Sequence, residues 1–280
     1  MKYKIVADSS SNIYTLSDTA YEAVPLKILS GDREYVDDAY LDVGSMVASL
    51  KAEKAAATTS CPNMMEWEEA FGDAENVFAI AITSQLSGSY NAALQAAGEF
   101  KRSCPEHRIW VLDTLSTGPE MQLIIEKLQE CIQSNGTFEQ IRKTVREYSK
   151  HTHLLFALQS LDNLAKNGRC SMALAKVAGV LGIRVVGKAS DKGTLEPLSK
   201  PRGEQKALEA LLNELARGGF SGGKVRIAHC FNLTAAEKLQ KMILDCYPGS
   251  DVEIVSCGGL CSYYADLGGL LVGYEDCQQI

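Results

Sequence analysis

The chain has 280 residues, 46% of them apolar, and a formal net charge of −7. That length points to two domains with full cores, and the acidic balance excludes a broad nucleic-acid footprint. No run reaches the ~20 apolar residues of a membrane span, and the apolar run in MKYKIVADSS is too short for a secretion signal, so a cytoplasmic protein with no transmembrane segment is expected.

Strand-like runs alternate with helical ones from the start. Tyr3 to Ala7 predicts a strand that ends in the polar turn Asp8-Ser9-Ser10-Ser11. A second strand is expected from Ala23 to Leu29, and apolar spacing predicts a helix from Val43 to Glu53. The hydroxyl-rich turn Thr58-Thr59-Ser60-Cys61-Pro62 comes next. A short helix then runs from Met64 to Phe71, with Asn63 as its N-cap. Val77 to Ile82 predicts a strand, followed by a second hydroxyl turn, Thr83 to Tyr90, and a helix from Asn91 to Phe100. Ile109 to Leu112, the turn Asp113 to Gly118 and a long helix through Ile132 repeat the unit. Thr137 caps a further helix to about Ser149. Strand, polar turn and helix in repetition make a parallel sheet covered by helices.

After about residue 152 the pattern becomes mixed. Strands are expected at Leu154–Leu158, Arg184–Val186, Thr194–Leu198, Val225–His229, Val252–Val255 and Leu270–Tyr274. Helices are expected at 171–182, 203–216 and 234–246. Thr194 to Leu198, after Asp191-Lys192-Gly193, reads as one arm of a hairpin. The fold class is therefore α/β, with an N-terminal parallel-sheet domain over 1–152 and a C-terminal mixed α+β domain over 153–280. The helix from Met172 to Leu181, with Ala173, Leu174, Val177 and Ala178, is apolar almost all round and is expected to be buried. Residues beyond it, with the Gly-rich segment Cys257 to Gly273, could line a slot between the domains.

The two hydroxyl turns carry the chemical signal. A strand-to-helix turn exposes unpaired N–H groups at a helix N-terminus, and Ser or Thr hydroxyls beside them make a site for a carboxylate or phosphate. Ser87 or Ser89 could equally serve only as an N-cap. The turns at 8–11, 83–89 and 113–117 all follow strands and are expected to converge on one crevice, joined by 58–62. Asp8 lacks the second Asp of a phosphoaspartyl phosphatase and is expected to order its own turn. Gly88-Ser89 is not a nucleophile elbow, and no phosphate loop occurs. Of four histidines, His107 and His151 read as exposed and His229 as the one placed to reach a crevice. The nine cysteines, from Cys61 to Cys277, read as reduced thiols. Cys257 and Cys261 lack zinc-knuckle spacing, so neither metal nor cofactor is expected. In Asn167-Gly168-Arg169-Cys170-Ser171, Gly168 and Ser171 punctuate helices. Arg169 is a surface charge or an anchor for an anion or a partner.

Taken in order, these motifs resemble the DegV family of bacterial fatty-acid-binding proteins. Asp8-Ser9-Ser10 resembles its Asp-Ser-Thr/Ser turn, Thr58 to Pro62 its Thr-Thr-Ser-Gln-Pro turn, and Leu86 to Tyr90 its Leu-Ser-Gly-Thr-Tyr turn. Asp113 to Gly118 and Leu164 to Ser171 match two further segments, so the likeness spans nearly the whole chain. Cys61 replaces the usual Gln, Asn167 the first Gly of Gly-Gly-Arg, and Tyr264 stands where the family often has a His. The resemblance implies a long-chain fatty acid between two domains, its carboxylate at Thr59, Ser60, Ser87, Gly88, Ser89 and Tyr264. It implies a binding protein that is not itself an enzyme. In some members the acid is presented to a separate ATP-dependent kinase that makes acyl phosphate for phospholipid synthesis, which makes Arg169 a contact for that kinase or the phosphoryl group. Such a carrier would touch membranes only transiently. Two other readings stay open: a phosphoryl- or acyl-transfer enzyme using the same turns, and a sensor of another small carboxylate.

Overall fold

Apolar runs with no polar alternation, such as 77–82, read as strands covered on both faces. The computed structural model describes residues 2–53, 57–178 and 180–276; Gly179 and Cys277 of the sequence expectations lie outside them. In chain order it begins with β1 (Tyr3–Asp8), β2 (Tyr21–Val24), β3 (Lys27–Ser30), β4 (Arg33–Val36), α1 (Val43–Ala52) and β5 (Thr58–Ser60). Next come α2 (Met64–Phe71), β6 (Asn76–Ala81), α3 (Ser89–Ser103), β7 (Arg108–Asp113), α4 (Pro119–Gln133) and α5 (Phe138–Tyr148). Then follow β8 (Thr152–Leu158), α6 (Asp162–Lys166), α7 (Met172–Ala178), β9 (Val185–Ala189), β10 (Leu195–Ser199) and α8 (Glu204–Arg217). The last described elements are β11 (Lys224–His229), α9 (Leu233–Cys246), β12 (Asp251–Ser256), α10 (Gly259–Ala265) and β13 (Leu270–Glu275).

The first sheet is parallel throughout, in the order β2-β1-β6-β7. Alternate β1 residues serve opposite cores: Ile5 and Ala7 pack with α4 and α5, whereas Val6 packs with Trp67, Phe71, Ala93 and Ala96. That is the two-residue period of a strand, used on both faces. Strand order reverses between β1 and β6, so the carboxyl ends of these two strands flank a topological switch point.

The second sheet has six strands, β10-β9-β8-β13-β11-β12, with β11 and β12 its parallel pair. Leu155, Ala157, Val225, Ile227 and Val272 point into a core with α8 and α9, while Leu154, Phe156, Leu158 and Leu271 point to the opposite face. Helix α4 lies between the sheets. Its Met121, Ile124, Ile125 and Leu128 pack on the first sheet, and its backbone at Pro119 lies against Gly273, where a Cβ would meet Pro119 at 2.5 Å. A bidentate pair, Arg226 to Glu126 at 2.8 Å for both bonds, ties its middle to β11.

The structure corrects four sequence expectations here. The strand from Ala23 to Leu29 is two strands, because Pro25 fixes φ and lacks an N–H to continue the ladder; β2 joins the parallel sheet and β3 joins a small antiparallel sheet, β4-β3-β5. The 58–62 turn begins as strand β5, since β-branched Thr58 and Thr59 pair with β3. The helix expected at 171–182 spans only Met172–Ala178. It buries Ala175 and Ala178 but leaves Met172 54% exposed, so it covers the core with one face instead of lying inside it, and Leu181 beyond it is 89% exposed. The Gly-rich segment contains α10, seven residues long, which no local signal announced.

Candidate ligand site

Two polar turns are tied together by the carboxylate of Asp8, at the end of β1. Asp8 is fully buried. It accepts bonds from Ser10 Oγ, from the Ile82 amide at 2.9 Å and from Ser89 Oγ at 2.7 Å. Burial pushes its pKa from 3.8 to about 6, with those bonds opposing the rise. The third turn joins through its backbone: the Gly118 amide donates to Ser10 O at 2.8 Å, and the Thr83 amide to Ser116 O at 2.9 Å. The expected convergence of the 8–11, 83–89 and 113–117 turns is thus a set of specific bonds at the switch point.

Beside them lies a cavity of about 320 Å³, within the roughly 300–1,000 Å³ range of small-molecule sites. Thr59, Ser60 and Cys61 line it from β5 and the residue after it, and Leu86, Ser87 and Gly88 from the turn before α3. Leu260, Cys261, Tyr264 and Ala265 enter from α10. Leu154, Phe156 and Leu158 form a wall from one face of β8. The Tyr264 hydroxyl lies 2.7 Å from Thr59 Oγ1. Burial raises the Tyr264 pKa, while the Thr59 bond and the positive charge of Arg169 oppose the rise, so the phenol is neutral at ordinary pH. Burial likewise pushes the Cys261 thiol up to about 12. Its Sγ bonds Ser10 O at 3.4 Å, and it behaves as a small apolar group.

Of the residues singled out from sequence, Thr59, Ser60, Ser87, Gly88, Arg169 and Tyr264 come together on this cavity. Ser89 does not. Its hydroxyl turns inward to Asp8 and it is fully buried, because position 89 opens α3 and faces the sheet; Ser87 Oγ instead accepts the Ser89 amide at 3.2 Å. His229 does not line the cavity either. Its Nδ1 accepts the Asn232 amide at 3.3 Å, and burial lowers its pKa. His107 and His151 are half-buried, not exposed: His107 packs on Phe100, and His151 Nδ1 lies 3.0 Å from Asp276. Arg169 is fixed by its Nε bond to Leu86 O at 3.1 Å and by a bond to Asn167 O. Among the described residues it makes no ion pair. Tyr263, neighbour of Tyr264, points elsewhere and donates to Ala57 O at 2.7 Å.

Sequence reasoning placed Thr83 in the hydroxyl turn but not its contact: its hydroxyl bonds Gly193 O at 2.8 Å across the cavity. It also missed the wall from β9 and β10, namely Lys188, Ala189, Thr194 and Leu195. The Asp-Lys-Gly hairpin signal was visible, but which surface its tip would touch was not.

A family model described as "Uncharacterised protein, DegV family" matches residues 2–275. A DegV domain-containing protein of Streptococcus pneumoniae is 40% identical over 98% of this chain and 99% of its own. Among solved structures, a DegV family protein from Eubacterium eligens loaded with heptadecanoic acid superposes with a TM-score of 0.96 at 41% identity, covering 98% of this chain and 99% of that one. The Streptococcus pneumoniae Fatty Acid Kinase (Fak) B3 protein loaded with linoleic acid superposes with a TM-score of 0.97 at 40% identity, again covering 98% and 99%. Among the described residues no helix is long and apolar enough to cross a membrane. The chain belongs to the DegV family.

Proposed function

We propose that this protein binds one long-chain fatty acid, with its carboxylate at Thr59, Ser87, Tyr264 and the backbone around Ser60 and Gly88, and its tail along the face of β8. The observation that carries this reading is the pairing of Thr59 and Tyr264 hydroxyls, with Ser87, on a cavity that Leu26, Leu154, Phe156, Leu158 and Leu271 also line. Two relatives at 40–41% identity were solved with heptadecanoic and linoleic acid. The energetics agree: each charge-assisted bond contributes about 1.5–3 kcal/mol and each buried CH₂ about 0.8 kcal/mol. Affinity comes mainly from the tail, and orientation from the head. Residues 1–152 and 153–280 act as two domains that enclose the ligand.

The protein acts as a carrier and not as an enzyme. Asp8, the carboxylate nearest in the chain of bonds, is committed to Ser89 rather than Ser87, and His229 lies off the cavity, so neither serves Ser87 as a base. Arg169, on the cavity rim with no ion pair among the described residues, is the contact for an ATP-dependent fatty acid kinase subunit or for the phosphoryl group it transfers. The setting is cytoplasmic, with transient contact at membranes where acids are collected.

Organic extraction of purified protein followed by mass spectrometry is expected to yield a fatty acid in about equimolar amount. Protein that stays ligand-free in native mass spectrometry after incubation with palmitic and oleic acids would overturn the reading. Thr59→Val and Ser87→Ala are each expected to weaken binding of a fluorescent acyl probe by about 1–3 kcal/mol, since each removes a donor to a buried anion. Tyr264→Phe is expected to cost about 0.5–1.5 kcal/mol, the net worth of one neutral hydrogen bond. Wild-type affinity in all three variants would place the head group elsewhere.

A further inference from the structure

One wall of the cavity is a hairpin at the edge of the second sheet. β10 is an edge strand of the six-stranded sheet, and its register slips between Pro197 and Ser199. Lys188, Ala189, Gly193, Thr194 and Leu195 of this hairpin line the cavity. The tip closes on itself: the Ser190 amide donates to Thr194 O and the Gly193 amide to Ser190 O, each at 2.8 Å. Ser190 Oγ and Thr194 Oγ1 also pair with each other, at 2.8 Å. The tip therefore spends its polar groups internally. Among the described residues, one hydrogen bond joins it to the opposite wall, from buried Thr83 Oγ1 to Gly193 O at 2.8 Å.

That contact is built closely. Gly193 has φ +79, and a Cβ there would lie 2.2 Å from Thr83 Oγ1 and 3.1 Å from Leu115 Cα. Leu115, on the other side, also holds a positive φ of 54, an uncommon conformation for a bulky residue. Two residues in left-handed conformations thus meet over the cavity, and the Thr83 hydroxyl beside them holds Gly193 through its carbonyl.

We infer that the Thr83–Gly193 bond is a latch and that the tip at 190–194 is a strap whose release lets a ligand enter and leave the cavity. Strands β8 and β9 stay paired, so the motion is confined to the tip and edge strand. The inference rests on the reading that the cavity holds an acyl chain, but the latch itself has a readout that needs no ligand.

Hydrogen exchange of the ligand-free full chain tests it. Thr83→Val and Gly193→Ala disrupt the contact from opposite sides, and each is expected to speed exchange across 188–195 by about three- to tenfold, the effect of one net hydrogen bond. Exchange in α5 should not move, and Thr83→Ser should behave as wild type. Stopped-flow displacement of cis-parinaric acid by excess palmitate should show association and release accelerated together, with affinity changed less than either rate. Unchanged exchange at 188–195 in both variants overturns the latch whatever the ligand. Wild type that binds no cis-parinaric acid overturns the acyl reading instead. Faster exchange at 188–195 with unaltered release shows that the tip is not the gate.

Discussion

Replacing Asp37 with alanine is expected to destabilise the fold by about 3 kcal/mol and to weaken acyl binding as a consequence. Asp37 is fully buried. Its Oδ1 accepts Tyr14 Oη at 2.7 Å and the Gly259 amide at 2.6 Å, while Oδ2 accepts Ser9 Oγ at 2.8 Å and the Leu260 amide at 3.1 Å. The carboxylate therefore caps the first turn of α10 from a distant part of the chain. Glycine is required for this approach, since a Cβ on Gly259 would stand 2.8 Å from Asp37 Oδ1 and one on Gly258 2.2 Å from Tyr14 Oη. Alanine at 37 would strand two amides and two hydroxyls in the interior, and unsatisfied buried groups cost about 1–3 kcal/mol each before relaxation or water relieves some of them. Burial already raises the Asp37 pKa, and losing that buried charge offsets part of the penalty. Because α10 also carries Leu260, Cys261 and Tyr264 to the cavity, the Tyr264–Thr59 pair should loosen. Asp37→Asn, which keeps one acceptor, should fall between. Urea denaturation measures the first effect and probe binding the second; a loss below about 1 kcal/mol for alanine would mean that α10 is held by packing alone.

The same cap shows where sequence reasoning stops. Local signals were legible: Asn63 and Thr137 read as N-caps, and in the fold each forms a reciprocal capping box, with Glu66 and Gln140. The apolar run at β6 reads as a strand because both of its faces are buried, and those at β1 and β7 because they flank it in the sheet. The Ser and Thr turns read as a site because they follow strands in a parallel sheet. In contrast, α10 begins at two glycines with poor intrinsic helix propensity, and its cap lies 222 residues away at Asp37. No window of neighbouring residues contains that information. Tyr264 was reached only through resemblance, and its bond to Thr59 spans 205 residues. Ser89 was misplaced for the opposite reason: its motif was local and clear, but which hydroxyl faces the cavity and which faces Asp8 depends on how α3 sits on the sheet. The exposure of α7 is a similar case, since apolar composition fixes what a helix can bury and not what lies beside it.

Asp8→Asn is expected to change how stability depends on pH. In the fold, Asp8 has a pKa of about 6 against an ordinary 3.8, chiefly because it is buried. The folded state thus holds the proton more tightly than the unfolded chain does. Between pH 3.8 and about 6 the native protein binds more protons, so the contribution of Asp8 is greatest below pH 3.8 and is lost as pH rises through about 6. That difference is worth about 3 kcal/mol at ~1.36 kcal/mol per pKa unit. Asparagine cannot ionise. It can still accept the Ile82 amide, and the Ser10 and Ser89 hydroxyls can rotate to accept from its NH₂ group. Relative to wild type, the variant should therefore gain about 2.4 kcal/mol as pH is raised from about 4 to 7.5. The other groups facing Asp8 do not confound this window: burial raises the pKa of Tyr21, and Cys261 is pushed up to about 12. Urea denaturation of both proteins at intervals across the range would show two curves that converge or cross. Parallel curves would show that Asp8 stays ionised throughout, with its three hydrogen bonds outweighing the cost of burial. The turn that presents Ser87 would then be anchored by a fixed charge instead of a titrating one.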